Sequence, residues 1–345
     1  MRAFVTGGGG FVGRRIVELL RERGDEVVSY ARGDYPDLAR LGVRVERGDV
    51  ADEAALARAM RGSDVVFHVA AKAAVWGKAS EYEHTNVIGT RAVIAATRAV
   101  GIARLVFTSS PSVCFDGRDH VNASNDLPLA KRFLCDYPRT KAEAETLVLA
   151  ANDSRLATCA LRPHLVFGPN DPHLLPRLID RARRGKLAIV GDGTNRVSLT
   201  YVDNAAWAHI DAADRLRQGA AHAGRAYFIA QEESVALWPW IEALLHELSI
   251  SGPKRRLSTR TAYAVGAACE ALWRLTRRVQ EPPLTRFVAL QLSTTHTYDV
   301  EPARCDFGYR ERIALNEATR RSIAWLENQA AGIAGGASGS AGFTS

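Results

Sequence analysis

The chain has 345 residues, of which 47% are hydrophobic and 24% charged, a length sufficient for one large or two ordinary domains with a sizeable core. No apolar run approaches the roughly 20 residues of a membrane span, and the five cysteines are scattered without C-x-x-C spacing. We therefore expect a cytoplasmic protein without a leader peptide and without a metal site. The net charge of +7 indicates an arginine-rich solvated surface or an anionic partner, and no nucleic-acid-binding motif supports DNA or RNA.

Short apolar runs alternate with amphipathic stretches through the first half of the chain. The predicted strands are RAFVT (2–6), EVVSYA (26–31), VRVERGDV (43–50), DVVFHVAA (64–71), RLVFTSS (104–110) and ATCALRPHLVFG (157–168). The predicted helices cover residues 11–24, 52–60, 86–101 and 138–152, the first with Ile16, Leu19 and Leu20 on its inner face and Gly24 at its end. This alternation predicts an α/β fold, a doubly wound parallel sheet of the Rossmann type.

The alternation breaks after Gly168, where three prolines follow within eight residues. The run AYFIAQ (226–231) predicts one more strand of the sheet, and the remainder up to residue 327 is predicted to be mainly helical. We therefore expect a dinucleotide-binding domain over residues 1–168, a smaller substrate-binding cap over 169–327, and a flexible Gly/Ala/Ser-rich tail over 328–345.

The segment TGGGGFVG follows the first strand and opens the first helix, with the spacing Gly7-x-x-Gly10-x-x-Gly13. The first glycine permits a tight turn, the second lets the backbone approach a pyrophosphate, and the third lets helix and sheet pack closely. The helix that begins at Phe11 and Val12 then offers free N–H groups and the positive end of its dipole to the phosphates. The pattern predicts dinucleotide binding.

The end of the second strand indicates which dinucleotide is bound. NAD-binding folds usually carry Asp or Glu there, whereas this sequence has Ala31 followed by Arg32, which favours the 2′-phosphate of NADP. Asp34 is an alternative partner for an NAD ribose. Further cofactor contacts are expected at the ends of the third and fourth strands, from Asp49, Val50, Ala70 and Ala71.

Tyr137 and Lys141 lie four residues apart, so a helix presents both on one face. A lysine ammonium one turn from a phenol is expected to lower the phenol pKa toward neutrality, so that the tyrosine exchanges a proton with a substrate oxygen. The fifth strand ends in hydroxyl residues, and a serine there can hydrogen-bond the same oxygen. Together these residues predict acid–base chemistry on a carbonyl or alcohol.

The glycine motif, the strand-end serines and Tyr-x-x-x-Lys resemble the extended short-chain dehydrogenase/reductase superfamily over about residues 1–325. Longer stretches are similar to its 3β-hydroxysteroid dehydrogenase branch: TSSPSVCFDGRDHVNASNDLP, LRPHLVFGP, LLPRLIDRARRGKLAIVGDGTN, TYVDNAAWAHIDA and PLTRFVALQLSTTHTYDVEPARCDFGY. Within that branch, RGDYPDLARLGV, AAKAAVWG and LAANDSRLAT resemble the ketoreductases of bacterial long-chain olefin biosynthesis.

The resemblance implies roles for particular residues. Tyr137 matches the general acid/base, Lys141 its partner that also grips the nicotinamide ribose, and Ser110 the catalytic serine, with Ser109 as the alternative. Pro163 matches a residue whose backbone neighbours the nicotinamide, and Asn86 matches an asparagine on a helix beside the active site. One departure is Cys114-Phe115, where many sugar-modifying members carry Tyr-Gly; it favours an apolar substrate.

The implied reaction is NADPH-dependent reduction of a 2-alkyl-3-oxoalkanoic acid to the 3-hydroxy acid. The alternatives are an NAD(P)-dependent 3β-hydroxysteroid or sterol dehydrogenase, a sugar-nucleotide epimerase or dehydratase, and a non-catalytic nucleotide sensor. We expect a homodimer that takes a long-chain β-keto acid or a steroid-like molecule and works beside partner enzymes of olefin synthesis.

Other stretches leave alternatives open. Arg162, His164 and Arg196 could meet a substrate carboxylate or could be structural, and His68 is expected to be a hydrogen-bonded core histidine. The apolar segment 261–278, interrupted by Glu270, is too short to span a bilayer and is a core helix, a wall for the substrate, or a face that docks on a membrane or a partner enzyme.

Overall fold

Short strands and helices run through the whole chain, and the computed structural model describes residues 1–337, with side chains to residue 329. The strands are β1 (Arg2–Thr6), β2 (Glu26–Ala31), β3 (Arg44–Arg47), β4 (Val65–His68), β5 (Arg104–Thr108), β6 (His120–Ala123), β7 (Ala157–Pro163), β8 (Val166–Phe167), β9 (Ala188–Val190), β10 (Arg196–Val197), β11 (Thr200–Tyr201), β12 (Arg225–Ile229), β13 (Val235–Ala236), β14 (Arg255–Leu257) and β15 (His296–Tyr298). The α-helices are α1 (Phe11–Glu22), α2 (Pro36–Arg40), α3 (Glu53–Met60), α4 (Ala79–Tyr82), α5 (Gly89–Ala99), α6 (Asp136–Ala150), α7 (Leu174–Arg183), α8 (Val202–Arg215), α9 (Leu237–Glu247), α10 (Thr259–Leu275), α11 (Arg286–Gln291), α12 (Glu301–Phe307) and α13 (Leu315–Ala337).

Seven parallel strands form the main sheet, in the order β12-β7-β5-β4-β1-β2-β3. The chain proceeds in one direction from β1 through β2 to β3 and then returns to the other side of β1 with β4. The order therefore reverses between β1 and β4, and in such sheets ligands bind beyond the carboxyl ends of the strands at this point. Thr6 and His68 pair there in register. The doubly wound architecture is as predicted.

Apolar residues pack on both faces of this sheet. On one face α1 contributes Ile16, Leu19 and Leu20, which pack with side chains of α8, so the predicted inner face of α1 is confirmed. On the other face, α3, α5 and α6 bury residues such as Leu56 and Val148. Because both faces are covered, the strands are apolar along nearly their whole length.

The second half of the chain contains more strand than the sequence predicted. The strand at 226–231 is confirmed as β12, which pairs with β7. The part predicted as mainly helical also contains β13, β14 and β15, and a four-stranded sheet runs in the order β13-β10-β15-β6. These strands have two to four residues, too few for their side-chain alternation to be distinguished in the sequence.

The C-terminal helix extends past the predicted start of the tail, since α13 covers residues 328–337 as well. Residues 338–345 lie outside the described part, and the division at residues 168 and 327 stays a prediction. Across residues 1–337, every helix is too short or too polar to cross a bilayer.

Candidate active site

The turn between β1 and α1 requires glycine at two of its positions. Gly7 has φ +69°, and a Cβ atom there would lie 2.8 Å from the Ala70 Cα. A Cβ at Gly13 would lie 2.3 Å from the Gly7 carbonyl oxygen. Real Cβ atoms do not approach backbone so closely, so any side chain at these positions would move β1, β4 or α1.

Gly10, in contrast, has room for a small side chain beside the cavity. A Cβ at Gly10 would meet only the Gly7 carbonyl oxygen, at 3.2 Å. Gly10 precedes α1 without a side-chain cap, and the first turn of α1 carries no acidic residue. The positive end of the helix dipole is therefore directed at the space beyond Gly10, where it favours an anionic group.

That space is a cavity of about 610 Å³. The following residues named from the sequence line it: Gly7, Gly10, Phe11, Val12, Gly13, Arg32, Asp49, Val50, Ala70, Ala71, Ser110, Tyr137, Lys141 and Pro163. Asn86 lies outside the lining. The structure thus gathers residues that follow β1, β2, β3, β4 and β5 or end β7, together with the start of α1 and two residues of α6. The glycine cradle, the helix N-terminus and the cavity together fit a dinucleotide.

Several lining residues were not predicted. They are Tyr35, Thr85, Leu165, Val166 and His173, among others. The ring of Tyr35 lies against the glycine turn, since a Cβ at Gly9 would be 2.0 Å from its Cζ. These residues lie in loops, in the π-helical turn over Glu83–Ile88 or in the two-residue strand β8, where no sequence pattern marks them. Ser109, the alternative to Ser110, also lines the cavity and was marked by its place at a strand end.

Ser110 and Tyr137 approach each other across the cavity. Ser110 follows β5 and accepts a hydrogen bond from the Ser112 N–H at 3.2 Å, at the start of a 3₁₀ turn over Pro111–Cys114. Tyr137 lies in the first turn of α6, where Pro138 is tolerated. Burial raises the pKa of the Tyr137 phenol, and the nearby Ser110 hydroxyl partly opposes this.

Lys141 does not lower the pKa of that phenol, so this expectation was wrong. Its Nζ instead donates to the Thr108 carbonyl oxygen at 2.5 Å and lies 3.9 Å from the centre of the Phe107 ring. Because the group is only 2% exposed, burial lowers the pKa of Lys141 to about 7, with Glu145 opposing. Because the lysine is directed at Thr108, burial of the Tyr137 phenol determines the direction in which the pKa of that phenol shifts.

Asn86 connects the neighbouring helix to α6. It lies in a π-helical turn over Glu83–Ile88, and its side-chain nitrogen donates to Thr140 Oγ1 at 2.9 Å. Its side-chain oxygen accepts from the Lys72 N–H at 2.8 Å. The asparagine thus holds the start of the 72–78 loop and the residue beside Lys141 in fixed positions.

The three residues considered for a substrate carboxylate do not line the cavity. Arg162 is buried and forms a bidentate pair with Glu145 at 2.9 and 2.5 Å. His164 Nδ1 donates to the Ser198 carbonyl oxygen at 2.6 Å, and Arg196 bonds Ser234. Each of these three side chains therefore has a structural partner within the chain.

His68 is the hydrogen-bonded core histidine that was predicted. It is fully buried, and its two ring nitrogens lie 2.8 Å from Thr6 Oγ1 and 2.9 Å from Thr90 Oγ1.

Comparison with protein families gives the same picture as the geometry. Residues 4–259 match the model of the 3-beta hydroxysteroid dehydrogenase/isomerase family, which is well over half of the chain. The chain belongs to this family. It is accordingly an NAD(P)-dependent oxidoreductase of the extended short-chain dehydrogenase/reductase type.

Similar proteins and solved structures match nearly the whole chain. The 2-alkyl-3-oxoalkanoate reductase of Stenotrophomonas maltophilia is 49% identical over 93% of this chain and 98% of its own. The decarboxylating sterol-4-alpha-carboxylate 3-dehydrogenase of Mus musculus is 36% identical over 92% of this chain and 89% of its own. Among solved structures, MoeE5 in complex with UDP-glucose and NAD is 27% identical, with a TM-score of 0.72 over 96% of this chain and all of that one.

Proposed function

We propose that this enzyme reduces the ketone of a 2-alkyl-3-oxoalkanoic acid to the corresponding 3-hydroxy acid, with NADPH as reductant. One observation carries the proposal: the cavity lined by the glycine turn is also lined by Ser110, Tyr137 and Lys141. A cofactor bound at the glycines and a ketone beside the phenol thus share one enclosed space.

When bound, NADPH supplies the hydride that the carbonyl carbon receives. Tyr137 donates its phenolic proton to the carbonyl oxygen; its raised pKa keeps it protonated at neutral pH, as a general acid must be. Ser110, whose hydroxyl lies near the same phenol, orients the carbonyl oxygen. Lys141, held by the Thr108 carbonyl, would bind the nicotinamide ribose. The partly enclosed cavity strengthens each of these contacts by limiting water.

Arg32 supports NADP over NAD as the cofactor. Arg32 lines the cavity at the end of β2, whereas Asp34, the alternative ribose partner, does not. A guanidinium at this place is complementary to the 2′-phosphate of NADP, while an NAD-specific site needs a carboxylate.

The substrate class rests on the relatives. The relative named 2-alkyl-3-oxoalkanoate reductase is 49% identical, and the relative named for a sterol carboxylate is 36% identical. The higher identity over almost the whole chain favours the oxoalkanoate, and the sterol is the second candidate.

The test measures oxidation of NADPH and of NADH by the purified enzyme with a 2-alkyl-3-oxoalkanoic acid. In the reverse direction it measures reduction of NADP and of NAD with a 3β-hydroxysteroid and with a UDP-sugar. Tyr137→Phe should lower kcat by about 10² to 10⁴ because no proton donor remains. Tyr263→Phe, which removes a phenol that does not line the cavity, is the matched control and should retain full activity.

Full activity of Tyr137→Phe would refute the assigned acid. Turnover of the steroid alone would refute the oxoalkanoate substrate and leave the acid–base roles intact.

A further inference from the structure

Helix α10 presents an apolar face to solvent. Val265 is 43% exposed, Leu272 49%, Leu275 82%, and Val279, just past the helix, 67%. Alanines 264, 268 and 271 are exposed between them, so the apolar positions follow helical spacing along one side. In residues 1–329 the other large exposed apolar side chains lie singly at three separate places.

The opposite face of α10 fixes this orientation. Gly266 packs against α11 so closely that a Cβ there would lie 2.7 Å from the Arg286 nitrogen. Glu270, which is 3% exposed, accepts hydrogen bonds from the Arg286 N–H at 2.7 Å and from its Nε at 3.0 Å. Because rotation of α10 would expose this buried carboxylate and break its bonds, the apolar face stays directed outward.

The segment that carries this face is strongly cationic. Residues 254–278 contain seven lysines and arginines and a single acidic residue, Glu270, which is turned inward. Arg255, Arg260 and Arg277 are exposed and form no ion pair within the described part of the chain. This segment thus holds a net charge of about +6, close to the +7 of the whole chain.

We propose that α10 docks on a membrane surface rich in anionic phospholipid, with Leu272 and Leu275 in the acyl boundary and the arginines at the headgroups. An amphipathic helix with apolar residues on one face and arginines beside it has this mode of binding. With 17 residues it is roughly 25 Å long and lies in the plane of the interface. The proposal does not depend on the proposed reaction.

The charge argues against the same face covering a second copy of the chain. A two-fold interface would place the two cationic surfaces against each other, and like charges in contact oppose association. An anionic membrane neutralises them instead.

The docking face also lies beside the cavity. The Trp76 indole N–H donates to the Arg278 carbonyl oxygen at 3.2 Å, and the Arg274 guanidinium lies 5.5 Å from the Trp76 ring centre. Trp76 belongs to the loop whose Ala71 and Ala73 line the cavity. A docked α10 therefore holds this wall of the cavity next to the lipid, where apolar substrates partition.

The test is sedimentation of the full-length protein with vesicles of phosphatidylcholine, with and without phosphatidylglycerol. Wild type should bind only the anionic vesicles, and binding should weaken at about 1 M salt, where the screening length is roughly 3 Å. The variant Arg255→Gln/Arg260→Gln/Arg277→Gln should bind on the order of a hundredfold more weakly, since each basic residue near such a surface contributes about a factor of five. Leu272→Asn/Leu275→Asn should also lose binding.

Two controls match these variants. Val121→Asn removes an exposed apolar side chain elsewhere, and Arg155→Gln/Arg217→Gln/Arg310→Gln removes three exposed charges elsewhere; both should bind like wild type. Circular dichroism of each variant verifies its fold.

Three outcomes would overturn the proposal: no binding to anionic vesicles, equal weakening by the control variants, or a change of oligomeric state in Leu272→Asn/Leu275→Asn by analytical ultracentrifugation. The last would assign the face to a second copy. Binding of an acidic partner protein at this face, with none to vesicles, would assign it to that protein.

Discussion

Lys141 carries its amino group into a nearly dry position beside the cavity. Its hydrogen-bond acceptor is the carbonyl of Thr108, whose own hydroxyl donates to His209 Nε2 at 2.8 Å. His209 in turn donates from Nδ1 to the Ala205 carbonyl oxygen at 2.7 Å. This chain of bonds fixes the acceptor of Lys141, so the amino group keeps its place whether or not it is charged.

The lowered pKa of Lys141 predicts that the residue costs stability at low pH. Below pH 7 the ammonium is charged in both the folded and the unfolded chain, so its burial opposes folding fully; as the pH rises from about 7 toward 10.5 the folded chain alone releases the proton and the cost declines. Lys141→Met should therefore raise the melting temperature, without nucleotide, more at pH 6 than at pH 9. Lys186→Met, at an exposed position, is the control, and an equal shift at both pH values would contradict the burial of a charge.

Arg32 provides a second test at single-residue scale. Loss of a charge-assisted hydrogen bond to the 2′-phosphate should weaken NADPH binding about ten- to a hundredfold in Arg32→Ala, while NADH binding changes little. Fluorescence titration of both nucleotides measures this directly, with Arg40→Ala, an exposed arginine outside the cavity, as the control. Unchanged NADPH affinity would place the phosphate elsewhere.

At the scale of elements, the sequence predicted the structure correctly wherever a helix, strand or site has a characteristic residue spacing. The helix over residues 11–22 and the strands of the main sheet follow from periodicity, and the glycine spacing and Tyr-x-x-x-Lys located the cavity. Strands such as Arg196–Val197 were missed because two residues have no period. The raised pKa of Tyr137 was missed because it depends on burial by distant segments, which no local pattern records.

The turn between β1 and α1 separates steric from binding roles of glycine. Gly13→Ala should destabilise the fold by about 1 to 3 kcal/mol, because its Cβ would overlap the Gly7 carbonyl oxygen. Gly10→Ala should cost only about 1 kcal/mol at the helix start yet abolish nucleotide binding, because its methyl group enters the cavity. Urea unfolding and nucleotide titration of both variants distinguish the two roles. Gly252→Ala, whose added Cβ would make only an ordinary contact at 3.7 Å, is the control. Retained nucleotide binding in Gly10→Ala would contradict a pyrophosphate at this turn.

At the scale of the whole molecule, buried histidines make the stability of the fold depend on pH. Burial lowers the pKa of His68 to about 3 and those of His164 and His209 to about 4. Each ring is hydrogen-bonded in its neutral form, to Thr6 and Thr90, to Ser198, and to Thr108 and Ala205. In mildly acidic solution these three histidines therefore stay neutral in the folded chain, whereas they bind protons in the unfolded chain.

The protein should consequently lose stability in mild acid. Above pH 6.5 these rings are neutral in both states; below it the unfolded chain binds protons that the folded chain refuses, so the free energy of unfolding falls as the pH drops from about 6.5 toward 4, by about 1 kcal/mol per pH unit for each histidine. Urea unfolding at pH 7, 6 and 5 measures the slope. His68→Gln should show a shallower slope because one titrating ring is gone, and His246→Gln, on the exposed side of α9, should keep the wild-type slope. A free energy of unfolding that stays constant from pH 7 to 5 would mean that the folded chain accepts these protons, and it would contradict the closed core around His68.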